Sequence, residues 1–119
     1  METKENKIVL SDVLKTPFAV STEEGDEVFK LIDSFFQKQE NVILDFDKIH
    51  LIVSTFFNAS IGQLYGIYPT EFIQKHLSLI NIAADDLAIL KKVTDRAKEY
   101  FIDKEGVENF LKTHFPNAE

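Results

Sequence analysis

Along this chain, short apolar runs alternate with stretches in which apolar residues return every three or four positions. "KIVL" (Lys7 to Leu10) predicts a first strand, "SDVLKTP" a turn, and "FAV" (Phe18 to Val20) a second short strand. Ser21, with Glu24 three residues on, has the spacing of a capping box, in which each side chain satisfies the other residue's free backbone N–H. Val28, Leu31, Ile32 and Phe35 then form one helical stripe, widened by Phe29 and Phe36, and this helix is expected to end near Gln39. "NVILDF" is too short and too continuously apolar for a surface helix. It predicts a strand buried on both faces, hence a central and parallel one. "KIHLIV" predicts a brief extended segment beside it.

From Ser54 the period becomes helical, with Phe57, Ile61, Leu64, Tyr65 and Tyr68 on one face. Gly66 is expected to stop that helix in a left-handed conformation, and Pro69 to prevent its continuation. "PTEFIQKH" predicts a short helix capped at Thr70, and "LSLINI" (Leu77 to Ile82) a strand. Leu87, Leu90, Val93, Ala97 and Tyr100 mark a long amphipathic helix, with Asp85 and Asp86 near its positive N-terminal end. Asp103 is read as the cap of a last helix carrying Val107, Phe110, Leu111 and Phe115, stopped by Pro116. This order predicts an α/β layer domain, with a mixed central sheet of about four strands and helices packed against it. No repeat, low-complexity tract or linker interrupts it, so residues 1–119 are read as one domain.

Composition narrows the function classes. The chain is 45% hydrophobic and 28% charged, as expected of a packed core, and eleven Phe with no Trp make that core Phe-rich. A formal net charge of -7 disfavours non-specific binding to nucleic acid or to an anionic membrane surface. The absence of Cys removes disulfides, thiolate chemistry and Cys-based zinc sites. The N-terminal "METKENK" is polar, and no apolar stretch approaches the roughly 20 residues of a membrane span, so a soluble cytoplasmic protein is expected.

Conventional catalytic patterns are missing. His50, His76 and His114 stand in separate elements, with no HxxxH or HExxH spacing. There is no GxSxG elbow, and His50 lies in an extended segment away from the helix start that carries Ser54 and Thr55. Gly25, Gly62, Gly66 and Gly106 form no phosphate-binding loop. Of the acid pairs, Glu23-Glu24 and Asp85-Asp86 fall in helix first turns, and Asp47 is read as stabilising a turn after Asp45. The expectation is a protein that is not an enzyme, with no metal and no cofactor.

The junction at Ser54-Thr55 stands out. Two hydroxyls open a helix directly after an apolar strand. Ser and Thr are favoured N-caps, which alone would account for one of them. A helix start also tolerates a phosphate, which would change the exposed surface without unfolding the domain. Phe56 falls off the Phe57/Ile61/Leu64 stripe and is expected to be exposed beside Thr55.

"LDF", followed by a second apolar stretch and two hydroxyls opening a helix, resembles the STAS family of anti-sigma-factor antagonists and sulfate-transporter domains. Closer still is a STAS-like family of uncharacterised bacterial domains. Its pattern is met in order by "VSTEEG", "VILDFDKI", "STFFNASIGQL" and "LINIAADD", and the resemblance covers about residues 18–101. The chain departs from that pattern at Thr22, where the family usually has Arg, and at Asn58 and Ala59, where it has an Asp-Glu pair. Against the antagonists, Val53 stands at an Asp and Phe56 at a Gly.

The resemblance implies a regulatory module that binds a protein partner such as a GHKL-type kinase or anti-sigma factor. Its contact surface would include Ser54, Thr55, Phe56 and Asn58, with phosphorylation falling on Thr55 or Ser54. The alternative is a small-molecule or nucleotide-binding domain that uses the same helix N-terminus as an anion site. Neither nucleic acid nor membrane is expected as a partner.

Overall fold

The computed structural model describes residues 4–114, with side chains described to Tyr100. Strand β1 (Glu5–Val9) runs into a one-turn helix α1 (Leu10–Leu14), followed by β2 (Phe18–Ala19) and α2 (Thr22–Phe36). Strands β3 (Asn41–Asp45) and β4 (Leu51–Ile52) precede α3 (Ser54–Ser60) and a 3₁₀ segment (Gly62–Gly66). Helix α4 (Thr70–His76), β5 (Leu77–Ile80) and the long α5 (Ala84–His114) complete the order.

The α/β layer architecture is as expected, but the strands do not form one mixed sheet of about four. They divide into a three-stranded sheet of order β1-β3-β5 and a two-stranded sheet of β2 and β4, and every pairing is parallel. Each pair of bonded strands is separated along the chain by at least one helix, and such crossovers favour parallel pairing, whereas only a short loop joins β3 to β4. β4 therefore pairs with β2 and not with β3.

β3 is central and parallel, yet only one face is sealed. Val42 and Leu44 are buried under the helices, in rows shared with Ile8, Leu77 and Leu79. The opposite face carries the row Lys7, Ile43 and Ser78, of which Ile43 is half-buried and the other two exposed.

At the C-terminal end of β3, the buried Asp45 accepts hydrogen bonds from Asn81 Nδ2 and from the Asp47 backbone N–H, both at 2.9 Å. It also pairs with Lys7 Nζ at 3.3 Å. The Asn81 and Asp47 donors, with Lys7, hold its carboxyl below the usual carboxylate range against the opposing effect of burial. Asp45, not Asp47, thus stabilises the turn.

Other expectations are corrected by local geometry. Leu10 leaves the first strand and starts α1, because its side chain is fully buried there. No described glycine has a positive φ, so Gly66 does not stop α3 in a left-handed conformation; α3 instead tightens into the 3₁₀ segment before Pro69. Thr70 is the first helical residue of α4, and Pro69 holds the cap position without a side-chain hydrogen bond. α5 passes through Asp103 without a break, so the two expected C-terminal helices are one. Residues 98–105 contain neither Pro nor Gly, and Gly106 costs an established helix only about 1 kcal/mol. Phe115 and Pro116 lie outside the described residues.

The capping box at the start of α2 is complete. Ser21 Oγ accepts from the Glu24 N–H at 3.1 Å, and the Ser21 N–H donates to Glu24 Oε1 at 3.2 Å. One turn on, α2 meets α3. A methyl group on Gly25 would sit 2.5 Å from Ala59 Cβ and 2.7 Å from the Phe56 carbonyl oxygen. Glycine is required there by the close approach of two backbones. Gly62 is different: a Cβ would find ordinary contact at 3.5 Å with Phe57 and with Val93 of α5.

Gly25→Ala is expected to lower the unfolding free energy by about 1–3 kcal/mol, the usual cost of overpacking, despite alanine's better helix propensity. Urea denaturation checks this. Ala59→Gly in the same chain should recover only part of the loss, because the Phe56 carbonyl remains in the way.

His76 supplies a second prediction. It is buried beside Phe36 and Phe72, with Nδ1 2.7 Å from Asn41 Oδ1. Burial, with a smaller contribution from Lys75, lowers its pKa below the ordinary 6.5. The unfolded chain then takes up the proton at higher pH than the folded one. Stability should be full above about pH 6.5 and decline as pH falls through that value toward the folded pKa. Denaturation midpoints measured between about pH 7.5 and 5.5 should show this decline in wild type and a smaller one in His76→Gln.

Candidate functional site

β2 and β4 are each two residues long, and each feeds a helix. Phe18 pairs with Leu51 and Ala19 with Ile52, and the ladder is extended by Val53 N–H donating to the Ala19 carbonyl at 3.2 Å. Because strand side chains alternate, Ala19 and Ile52 point into the core while Phe18, Val20 and Leu51 point out. These three are 48%, 40% and 51% exposed, which is unusual for large apolar side chains on neighbouring strands. Since the strands are parallel, both enter their helices at the same end of the molecule. Thr22, at the start of α2, and Ser54 and Thr55, at the start of α3, are therefore close to this apolar strip and are all exposed.

The N-cap of α3 is Val53, with extended backbone angles of φ -120 and ψ 160, and no side-chain hydrogen bond caps the helix. Ser54 and Thr55 are the first two residues inside it. The capping reading of the hydroxyls is thereby overturned: the residue whose side chain would reach the free N–H groups is a valine. Asn58, one turn on, is also exposed.

Phe56 is corrected as well. It is 1% exposed and packs against Phe57 with ring centroids 6.0 Å apart, so it cannot serve as an apolar contact for a partner. The helical stripe assumed one buried face, but α3 has α2 on one side and α5 on another. Phe56, Ala59 and Ser60 are buried in addition to Phe57, and Ser60 Oγ donates back to the Phe56 carbonyl at 2.8 Å. The exposed apolar residues at this end, Phe18, Val20 and Leu51, were missed. The available signal was strand alternation in "FAV" and "HLIV", which places every second side chain outward once the two segments are paired.

Beyond Thr55, a shallow depression of about 260 Å³ lies between α2 and α3, lined by Thr22, Asp26, Thr55, Asn58, Ala59 and Gln63. Gln63 Nε2 bridges its walls, donating to Asp26 Oδ1 at 2.8 Å and to the Ala59 carbonyl at 2.6 Å. A phosphate added to Thr55 would stand at a helix start, where backbone N–H groups favour negative charge, and it would project over this surface.

The structure does not join the histidines to these hydroxyls. His50 is exposed and donates its backbone N–H to Pro17 at 2.7 Å; His76 is buried against Asn41. His114 lies where side chains are not described. Among the described residues no cluster of His, Asp and Glu has the arrangement of a metal site, and no helix is long and apolar enough to cross a membrane.

The model of a family described as a STAS-like domain of unknown function covers residues 24–87, more than half of the chain. No curated protein and no solved structure shows a significant match.

The two hydroxyl sites should respond differently to truncation. Ser21→Ala is expected to cost about 1 kcal/mol through the lost capping box. Ser54→Ala and Thr55→Ala should each stay within about 0.5 kcal/mol of wild type, as exposed positions that make no cap. Urea midpoints of the three variants decide this.

Proposed function

This chain belongs to the family of STAS-like domains of unknown function, and on that premise we propose that it is a regulatory module that binds another protein. It acts by binding and not by catalysis. The contact surface is the end of the molecule where β2 and β4 enter α2 and α3: Phe18, Val20 and Leu51 form an apolar strip, and Ser54, Thr55 and Asn58 form its polar border. Juxtaposition of exposed apolar side chains with two exposed, uncapped hydroxyls carries this reading. An apolar centre with a polar rim is the ordinary anatomy of a protein interface.

Phosphorylation of Thr55, or of Ser54, is the finer form of the proposal. It would add about -1.5 to -2 charge beside the strip and weaken an apolar contact there. The STAS-like membership supports a partner of the kind that antagonist domains bind, a GHKL-type kinase or an anti-sigma factor.

The test is affinity capture from the host with wild type, Leu51→Asp and Thr55→Glu, each first shown to be folded by circular dichroism, with intact mass recorded. A discrete protein retained by wild type and reduced at least about tenfold by both variants is expected, since both place charge in the contact. Equal recovery with all three, or no specific protein with wild type, contradicts the proposal.

A further inference from the structure

Away from this surface, a groove of about 570 Å³ opens between α5 and the outer edge of β5. Its size falls in the range of small-molecule pockets, about 300–1,000 Å³. The floor is apolar and recessed: Ile61, Ile73 and Leu90 are buried and Leu77 and Leu79 half-buried, while Ala84, Leu87 and Ala88 at the mouth are exposed. A recessed apolar floor suits an inserted aliphatic chain better than a protein surface, which would need protruding residues to engage.

The cationic side chains that line the groove among the described residues are Lys91 and Lys98, two helical turns apart on one face of α5. Among the described residues no carboxylate lines it, on a chain whose net charge is -7. Lys91 is mostly exposed and already paired with Asp95 at 3.1 Å. Lys98 is half-buried, with its ammonium 5.6 Å from the centre of the Tyr65 ring at the groove wall. An apolar trough with one cation fixed at its rim complements a ligand with a single aliphatic chain and an anionic head.

We propose that the groove between α5 and β5 binds a medium-chain fatty acid, its tail on Leu79 and Leu90 and its carboxylate at Lys98. No residue of this groove belongs to the Ser54/Thr55 surface, so the two proposals stand or fall separately.

The experiment is a titration with sodium decanoate followed by amide and methyl NMR spectra, with translational diffusion measured in the same samples. Saturable shifts confined to residues of the groove are expected, and octanoate should bind more weakly by about fourfold per methylene removed. Ala88→Phe, an exposed position lining the groove, should abolish binding by filling it. Lys98→Met should weaken decanoate about two- to fivefold, the worth of a partly exposed ion pair, and leave 1-decanol unaffected. Absence of saturable binding, shifts spread over the surface, or affinity unchanged in Ala88→Phe overturns the proposal. So does slow diffusion that Leu87→Glu restores to the monomer value, which would assign the groove to a second copy of the chain.

Discussion

At Gly25 the backbone of α2 lies against α3 with no room for a side chain, and this close approach decides what the two helices present to solvent. The Phe56 carbonyl and the Ala59 methyl occupy the space a Cβ would need. With α2 drawn in this far, Phe56 turns into the core and the outer faces of the two helix starts, Thr22 on one and Ser54 and Thr55 on the other, lie side by side. The capping box of Ser21 and Glu24 fixes where α2 begins, one turn before the contact. A capped helix start and a glycine crossing therefore position a surface to which neither contributes a side chain.

The same crossing explains the apolar strip. β2 and β4 are too short to form a sheet of consequence alone; they are held because each is the lead-in to one of the two crossed helices. Their inward residues, Ala19 and Ile52, join the core, and alternation leaves Phe18, Val20 and Leu51 outside. Exposing three large apolar side chains on adjacent strands costs solubility and contributes nothing evident to the fold, which supports a role in contact with a partner. The open face of the main sheet differs, because its row of Lys7, Ile43 and Ser78 is largely polar.

What could be read in the sequence was local. The capping box, the apolar stripe of α2 and the central, parallel place of β3 depend on residues within one turn or one strand of each other, and they appear as expected, although β3 is sealed on one face and not on both. The pairing of β2 with β4 joins two-residue segments more than thirty positions apart, and no local pattern encodes it. The start of α3 was placed correctly, but its chemistry was not. Hydroxyls next to a helix start suggest a cap, whereas the extended backbone at Val53 moves the cap one residue earlier and leaves Ser54 and Thr55 uncommitted. Phe56 was misjudged because a helical stripe presumes one buried face, and α3 is buried on two. Asp103 carried a capping signal that a continuous helix overrode.

The central claim is that the end of the molecule carrying Thr55 is a contact surface in the cell. Site-specific photo-crosslinking tests it directly: a photoreactive phenylalanine is placed at Thr55 in one strain and at the exposed Glu71 of α4 in another, and both are irradiated in living cells. The account predicts a discrete crosslinked protein from position 55 and none of the same mass from position 71. The same products from both positions, or none from position 55, would contradict it.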